Sequence, residues 1–225
     1  MQMPLSNKYF KKLRQKFAKE LALHQKYDSW DRVIDHCLAV AARVDALSRL
    51  LNIPPKLRTQ IVSAALVHDF YKRKQIELIT QNGLPGYSQS ISQSSQHLLE
   101  AGFDSTIAQL ASSSEISNHP LLTTYATLGE ISLDQLAMLI VAYCDFVTTE
   151  ADWAIPSTVK ENDIDRRAVL LSRKKVYQIL DSSAFTSMCR VGHLIEKKFA
   201  SLLNIPYLNL PEVIDSYIKS ELLDF

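Results

Sequence analysis

Glycine is scarce in this chain, with 5 in 225 residues. So few freely rotating joints, set against a mainly helical hydrophobic period, favour an all-α fold. Cysteine is scarcer still. Cys37, Cys144 and Cys189 are odd in number and form no CxxC pair, which excludes a disulfide framework. They read as buried free thiols in a reducing cytoplasm. No apolar run approaches the ~20 residues of a membrane span. The first residues, Met1-Gln2-Met3-Pro4-Leu5, open into charged sequence with no signal-like hydrophobic region, so a cytoplasmic location is expected. Charge of one sign is also lacking. The formal net charge is +1, and no separate nucleic-acid module is visible, so nucleic acid is not the expected partner. What remains is 47% hydrophobic and 22% charged, enough for one substantial core and no second full domain.

Residues 7–26 read as one amphipathic helix with Phe10, Leu13, Phe17 and Leu21 on a single face. Residues 1–27 hold seven Lys or Arg against one acid, Glu20. That face can attract a polyanion, or it can be the solvated side of a helix packed on the core. Asn52-Ile53-Pro54-Pro55 marks a break between two helices.

Chemistry concentrates in three apolar stretches. Val62-Ser63-Ala64-Ala65-Leu66-Val67 runs into His68-Asp69 and then Phe70-Tyr71-Lys72. Mid-helix neighbours point about 100° apart, but at a helix end both side chains can reach one ion. Upstream, Trp30, Val33, Ile34, Cys37, Val40, Ala41, Val44, Leu47 and Leu51 recur at helical spacing, with His36 at the edge of the stripe. Downstream, Leu136 to Val147 is a buried-helix pattern in which Asp145 is the sole charge. A buried carboxylate without a partner costs several kcal/mol or neutralises. Taken singly, each residue has a plainer role: a satisfied core histidine, a hydrogen-bond acceptor, a helix-end decoration. Taken together, His36, His68, Asp69 and Asp145 are explained by one divalent ion, where packing alone needs four separate partners. Their mixed imidazole and carboxylate set suits Zn, Fe, Mn or Co, with Ni and Mg not distinguished.

The order His36, His68-Asp69, Asp145 resembles the H…HD…D signature of the HD-domain superfamily of metal-dependent phosphohydrolases. Ala65-Leu66-Val67-His68-Asp69-Phe70-Tyr71-Lys72 is similar to its "LLHDIGK" block, with Lys72 in the lysine position, and the likeness spans about residues 28–182. It implies a hydrolase that cleaves a phosphate ester or anhydride of a small phosphorylated substrate, such as a nucleotide. Metal would be held by His36, His68, Asp69 and Asp145, with Asp69 and Lys72 as catalytic groups. Arg73 and Lys74 would assist at the rim, and His119 is the better candidate for a second metal or substrate contact, His97 reading as a surface residue. The sequence departs from the pattern in Phe70-Tyr71, in lacking a Gly-Tyr-Pro triplet, and in having Lys72 rather than Glu four residues after His68. A metal-stabilised regulatory or ligand-binding module without turnover is the alternative reading. A di-iron oxygenase would need more histidines.

The expected layout is a basic N-terminal helix over 1–27, an HD-like domain over 28–182, and a C-terminal helical extension over 183–225. The extension would cap the core or meet a partner subunit in a homodimer. Thr80–Ser90 and Thr149–Pro156 are candidate substrate loops or plain surface connections. Arg166, Arg167, Arg173, Lys174 and Lys175 are a candidate phosphate-holding cluster or a solvated face.

Overall fold

The computed structural model describes residues 8–148, 164–165 and 182–222, and among these every regular element is helical. The all-α expectation holds. Eleven α-helices are described: α1 Lys8–Lys16, α2 Ala18–Lys26, α3 Asp31–Leu50, α4 Pro55–Val67, α5 Lys72–Asn82, α6 Leu84–Glu100, α7 Ser105–Ala111, α8 His119–Thr127, α9 Leu133–Val147, α10 Ser182–Leu203 and α11 Leu210–Tyr217. Among the described residues no helix is long and apolar enough to cross a membrane.

Local chemistry sets the helix ends. Asp28, Asn52 and Asn204 adopt positive φ just beyond α2, α3 and α10, the left-handed stop that Asn and Asp tolerate best after Gly. Pro55 opens α4, where its missing N–H costs nothing. Ser132 and Gln135 form a reciprocal capping box at the start of α9. The Asp104 carboxylate accepts from the Ile107 N–H at 2.9 Å to start α7.

Helices α3, α4 and α9 form the centre and pack on one another. Their inward stripes (Leu38, Val40 and Leu47; Ile61, Ala65 and Leu66; Leu139, Ile140 and Tyr143) are fully buried. Around them, α2 and α7 cover α4, α10 lies on α8 and α9, and α11 lies on α3. The C-terminal helices thus lie on the core.

Two local expectations are corrected. The N-terminal helix is a pair, broken at Phe17, and Leu23 and His24 rather than Leu21 take the inner positions of its second half. Thr80–Ser90 is no loop. Gly83, at φ 63°, makes a sharp turn, and Leu84-Pro85 at once begin α6. A Cβ on Gly86 would sit 2.1 Å from the Leu78 carbonyl oxygen, so α5 and α6 approach more closely than any other residue permits.

Candidate metal centre

The three central helices bring their polar residues to one place. α4 ends at Val67, and His68-Asp69-Phe70-Tyr71 form a turn closed by Phe70 N–H to Val67 O and Lys72 N–H to Asp69 O. Freed from the helix, neighbouring side chains His68 and Asp69 converge instead of diverging. One donor atom from each of His36, His68 and Asp69 lies within 4.8 Å of the others. Asp145, from the buried face of α9, sets its Oδ1 3.1 Å from His36 Nε2 and 3.4 Å from His68 Nε2. The mutual donor group is His36, His68 and Asp69, and Asp145 touches its two histidines.

The donor chemistry fits a cation. The Nδ1–H of His68 donates to the Ala65 carbonyl at 2.8 Å, which turns the Nε2 lone pair toward the carboxylates. That Nε2 is buried, makes no regular hydrogen bond, and faces Asp145 and, at 3.9 Å, Asp69. Burial alone would keep His68 neutral. Cys37, Asp145 and Asp69 outweigh burial and raise its pKa well above the ordinary histidine value. Burial also opposes ionisation of Asp69, yet Lys72 and His68 hold its carboxyl well below the usual range. The surroundings thus call for positive charge at the cluster, which a proton on His68 or a metal ion supplies equally.

Lys72 stands beside this group, with Nζ 3.1 Å from Asp69 Oδ1. The rim residues differ. Arg73 is engaged by the Asp28 carboxylate and lies over the Trp30 ring, and the Lys74 ammonium is 2.6 Å from Glu77. Both point to surface acids. His119 opens α8 rather than closing a helix. Its Nδ1 is 3.0 Å from Ser187 Oγ and its ring meets Phe146 edge-on. Burial lowers its pKa to about 4, and the donor cluster does not include it. His97 lies at the surface with Glu100 at 3.1 Å. Cys37 and Cys144 are buried, whereas Cys189 is only half-buried. Thr149–Pro156 and the Arg166–Lys175 cluster lie outside the described residues.

Three residues near this site carry little signal in the sequence. Glu115 lies near enough to Lys72, Asp69 and Asp145 to feel each charge; burial raises its pKa, with Lys72 opposing. The Tyr87 hydroxyl donates to Glu115 Oε2 at 2.5 Å. His24, from α2, is fully buried behind His68. Tyr87 sits in a Gly/Pro/Ser-rich stretch, Glu115 in a short serine-rich connection, and His24 in the basic N-terminal region. A helical period around Leu23 and His24 is the one cue that points inward.

An all-α bundle with a buried, inward-facing His/Asp donor cluster is the class that fold and site define. Comparisons with protein-family models, curated proteins and solved structures give no match.

Proposed function

We propose that this protein is a metal-dependent phosphohydrolase of the HD-domain type, acting on a phosphate ester or anhydride of a small metabolite or nucleotide. The observation that carries the reading is the approach of His36, His68, Asp69 and Asp145 from two helices and one turn, with a lysine ammonium 3.1 Å from the outermost carboxylate. Arranged this way, the four groups would hold one divalent ion, whose chemistry when bound would be to acidify a water and polarise a phosphoryl oxygen. His36 and Asp145 anchor it from the core. The Ala65 carbonyl accepts from His68 Nδ1, so Nε2 would be the atom offered to the ion.

Asp69 has two roles available. Ionised, its carboxylate would serve as a ligand and as the acceptor for the proton of an attacking water. Lys72 neutralises Asp69 in the resting state and offers its ammonium to an incoming phosphate, a point charge on a flexible stem. Glu115 and Tyr87, hydrogen-bonded to each other, lie close enough to Lys72 to feel its charge.

Chelated protein reloaded separately with Mn, Co, Zn, Ni or Mg and screened for phosphate release across nucleotides and sugar phosphates tests the proposal. Turnover that depends on the ion and disappears in Asp69→Ala supports it. A protein that binds the ion tightly and releases no phosphate from any substrate would instead be the regulatory module.

A further inference from the structure

The outer face of the N-terminal helix pair carries charge of one sign. At about 100° per residue, Lys8, Lys11, Lys12 and Lys16 share one arc of α1, opposite the buried Phe10 and Leu13. All four are exposed, and Lys19 continues the row at the start of α2. The acids beside α1 are engaged elsewhere: Asp35 by Arg14 at 3.9 Å, and Asp45 by Tyr9, Arg49 and Arg58. Glu20, the acid of the pair itself, is buried and accepts from Ser63. Among the described residues no lysine of α1 has an acid within ion-pair distance. Lys16 lies 3.5 Å from the Thr59 hydroxyl, which brings the first turn of α4, with its exposed Lys56, to the edge of the row.

We propose that this face is an electrostatic docking surface for an anionic lipid bilayer. Helix stability does not account for the row. Lys8, Lys12 and Lys16 repel one another at i, i+4 spacing, and Lys8 and Lys11 stand at the positive end of the α1 dipole. A neutral polar residue would be solvated as well without either cost. The exposed positions of α1 and α2 are Lys, Gln and Ala alone, so no aromatic ring is there for a base to stack on. Lysines are hydrated point charges, unlike the arginine forks suited to nucleic-acid phosphates, and the arginine of α1 is turned to Asp35. A charged plane of lipid headgroups asks for no such fork. Because the apolar stripe of Phe10, Leu13, Phe17 and Leu23 is buried in the core, attachment is peripheral and salt-sensitive rather than by insertion.

The proposal is independent of the metal centre. Cosedimentation of the full-length protein with vesicles tests it, phosphatidylcholine alone against equal parts phosphatidylcholine and phosphatidylserine. Wild type should partition to the anionic vesicles at about 0.1 M salt, where charges reach about 10 Å, and leave them at about 1 M, where they reach about 3 Å. Each lysine at such a surface contributes about fivefold, so Lys8→Gln, Lys11→Gln and Lys12→Gln combined should weaken partitioning by roughly a hundredfold. A control with the same charge loss on the C-terminal helices, Arg190→Gln, Lys197→Gln and Lys219→Gln combined, should stay within about threefold. Glutamine suits a helix about as well as lysine, so helix content should be native. Should the triple variant fail to fold, the pair Lys12→Gln and Lys16→Gln carries the comparison, with a loss of about thirtyfold. Wild type that ignores anionic vesicles at low salt overturns the proposal. So does equal weakening by the two triple variants, which would make net charge alone the cause. A gel shift with duplex RNA is the competing arm: RNA binding without vesicle binding assigns the face to nucleic acid and overturns the lipid reading.

Discussion

Replacing Asp145 with asparagine keeps the shape of a side chain whose Oδ1 lies 3.1 Å from His36 Nε2 and 3.4 Å from His68 Nε2, and removes only its charge. In the metal-free protein the loss is small. A charge-assisted contact worth roughly 1.5–3 kcal/mol is exchanged for a neutral one of about 1 kcal/mol, because the amide can still donate to a neutral imidazole. Loaded protein should respond differently. At an ion concentration a hundredfold above Kd, binding stabilises the native state by about 2.7 kcal/mol. If the lost carboxylate weakens Kd about a hundredfold, that stabilisation drops to about 0.4 kcal/mol. For a chain of this size the missing ~2.3 kcal/mol corresponds to roughly 5–9 °C of metal-induced Tm shift. The assay is a pair of thermal melts, with chelator and with excess ion, for wild type and Asp145→Asn, alongside metal content. Wild type should gain several degrees with the ion and the variant almost none. A variant that keeps the full shift while both of its melts move down together would make Asp145 a structural acceptor and remove it from the ligand set.

Three further outcomes follow from other parts of the molecule. Lys72→Met keeps the apolar stem and should leave metal content unchanged, while phosphate release falls about tenfold or more, the worth of one charge-assisted hydrogen bond; a rate within twofold would take Lys72 out of the mechanism. Gly86→Ala puts a methyl group against backbone atoms of Leu78 that cannot rotate away, so urea denaturation should show a loss of about 1–3 kcal/mol, and an unchanged midpoint would refute the close approach of α5 and α6. His119 is held neutral by burial, with its pKa lowered to about 4 against about 6.5 when unfolded. The unfolded chain therefore binds the extra proton first, and stability present above pH 6.5 is lost as pH falls toward 4, by about 2–3 kcal/mol; His119→Gln should flatten that limb of a stability–pH curve.

Much of the centre is legible from residues alone, because its physics is local and periodic. The stripe through Val33, Val40 and Val44, the run ending at Val67, and the helix around Asp145 each declare a buried face, and a polar residue on such a face must have a partner. Thr80–Ser90 misleads for an equally physical reason. Gly83, Pro85 and the serines are turn formers by composition, yet one positive φ at Gly83 suffices to turn the chain and Pro85 is at home in a first helical turn. Tyr87, Glu115 and His24 are invisible in the sequence because each acts across tertiary contacts, 28 residues apart in the Tyr87–Glu115 bond and 42 in that of His24 with Leu66. No short-range pattern encodes such pairings. Arg73 and Lys74 stand next to Lys72 in the chain but turn away from the cluster, since the acids nearest to them, Asp28 and Glu77, lie outward.

The contact between His36 and Asp145 joins residues 109 apart in the chain. During synthesis the first three donors leave the ribosome long before the fourth, and a chain stopped after α8 holds two imidazoles and a carboxylate with no α9 to close against them. Bringing ends that distant together is an entropic cost met by the apolar faces of α3, α4 and α9, not by the donors themselves. The bundle must therefore close before the donor set exists, so the cluster is a product of the packing of α3, α4 and α9 rather than its cause.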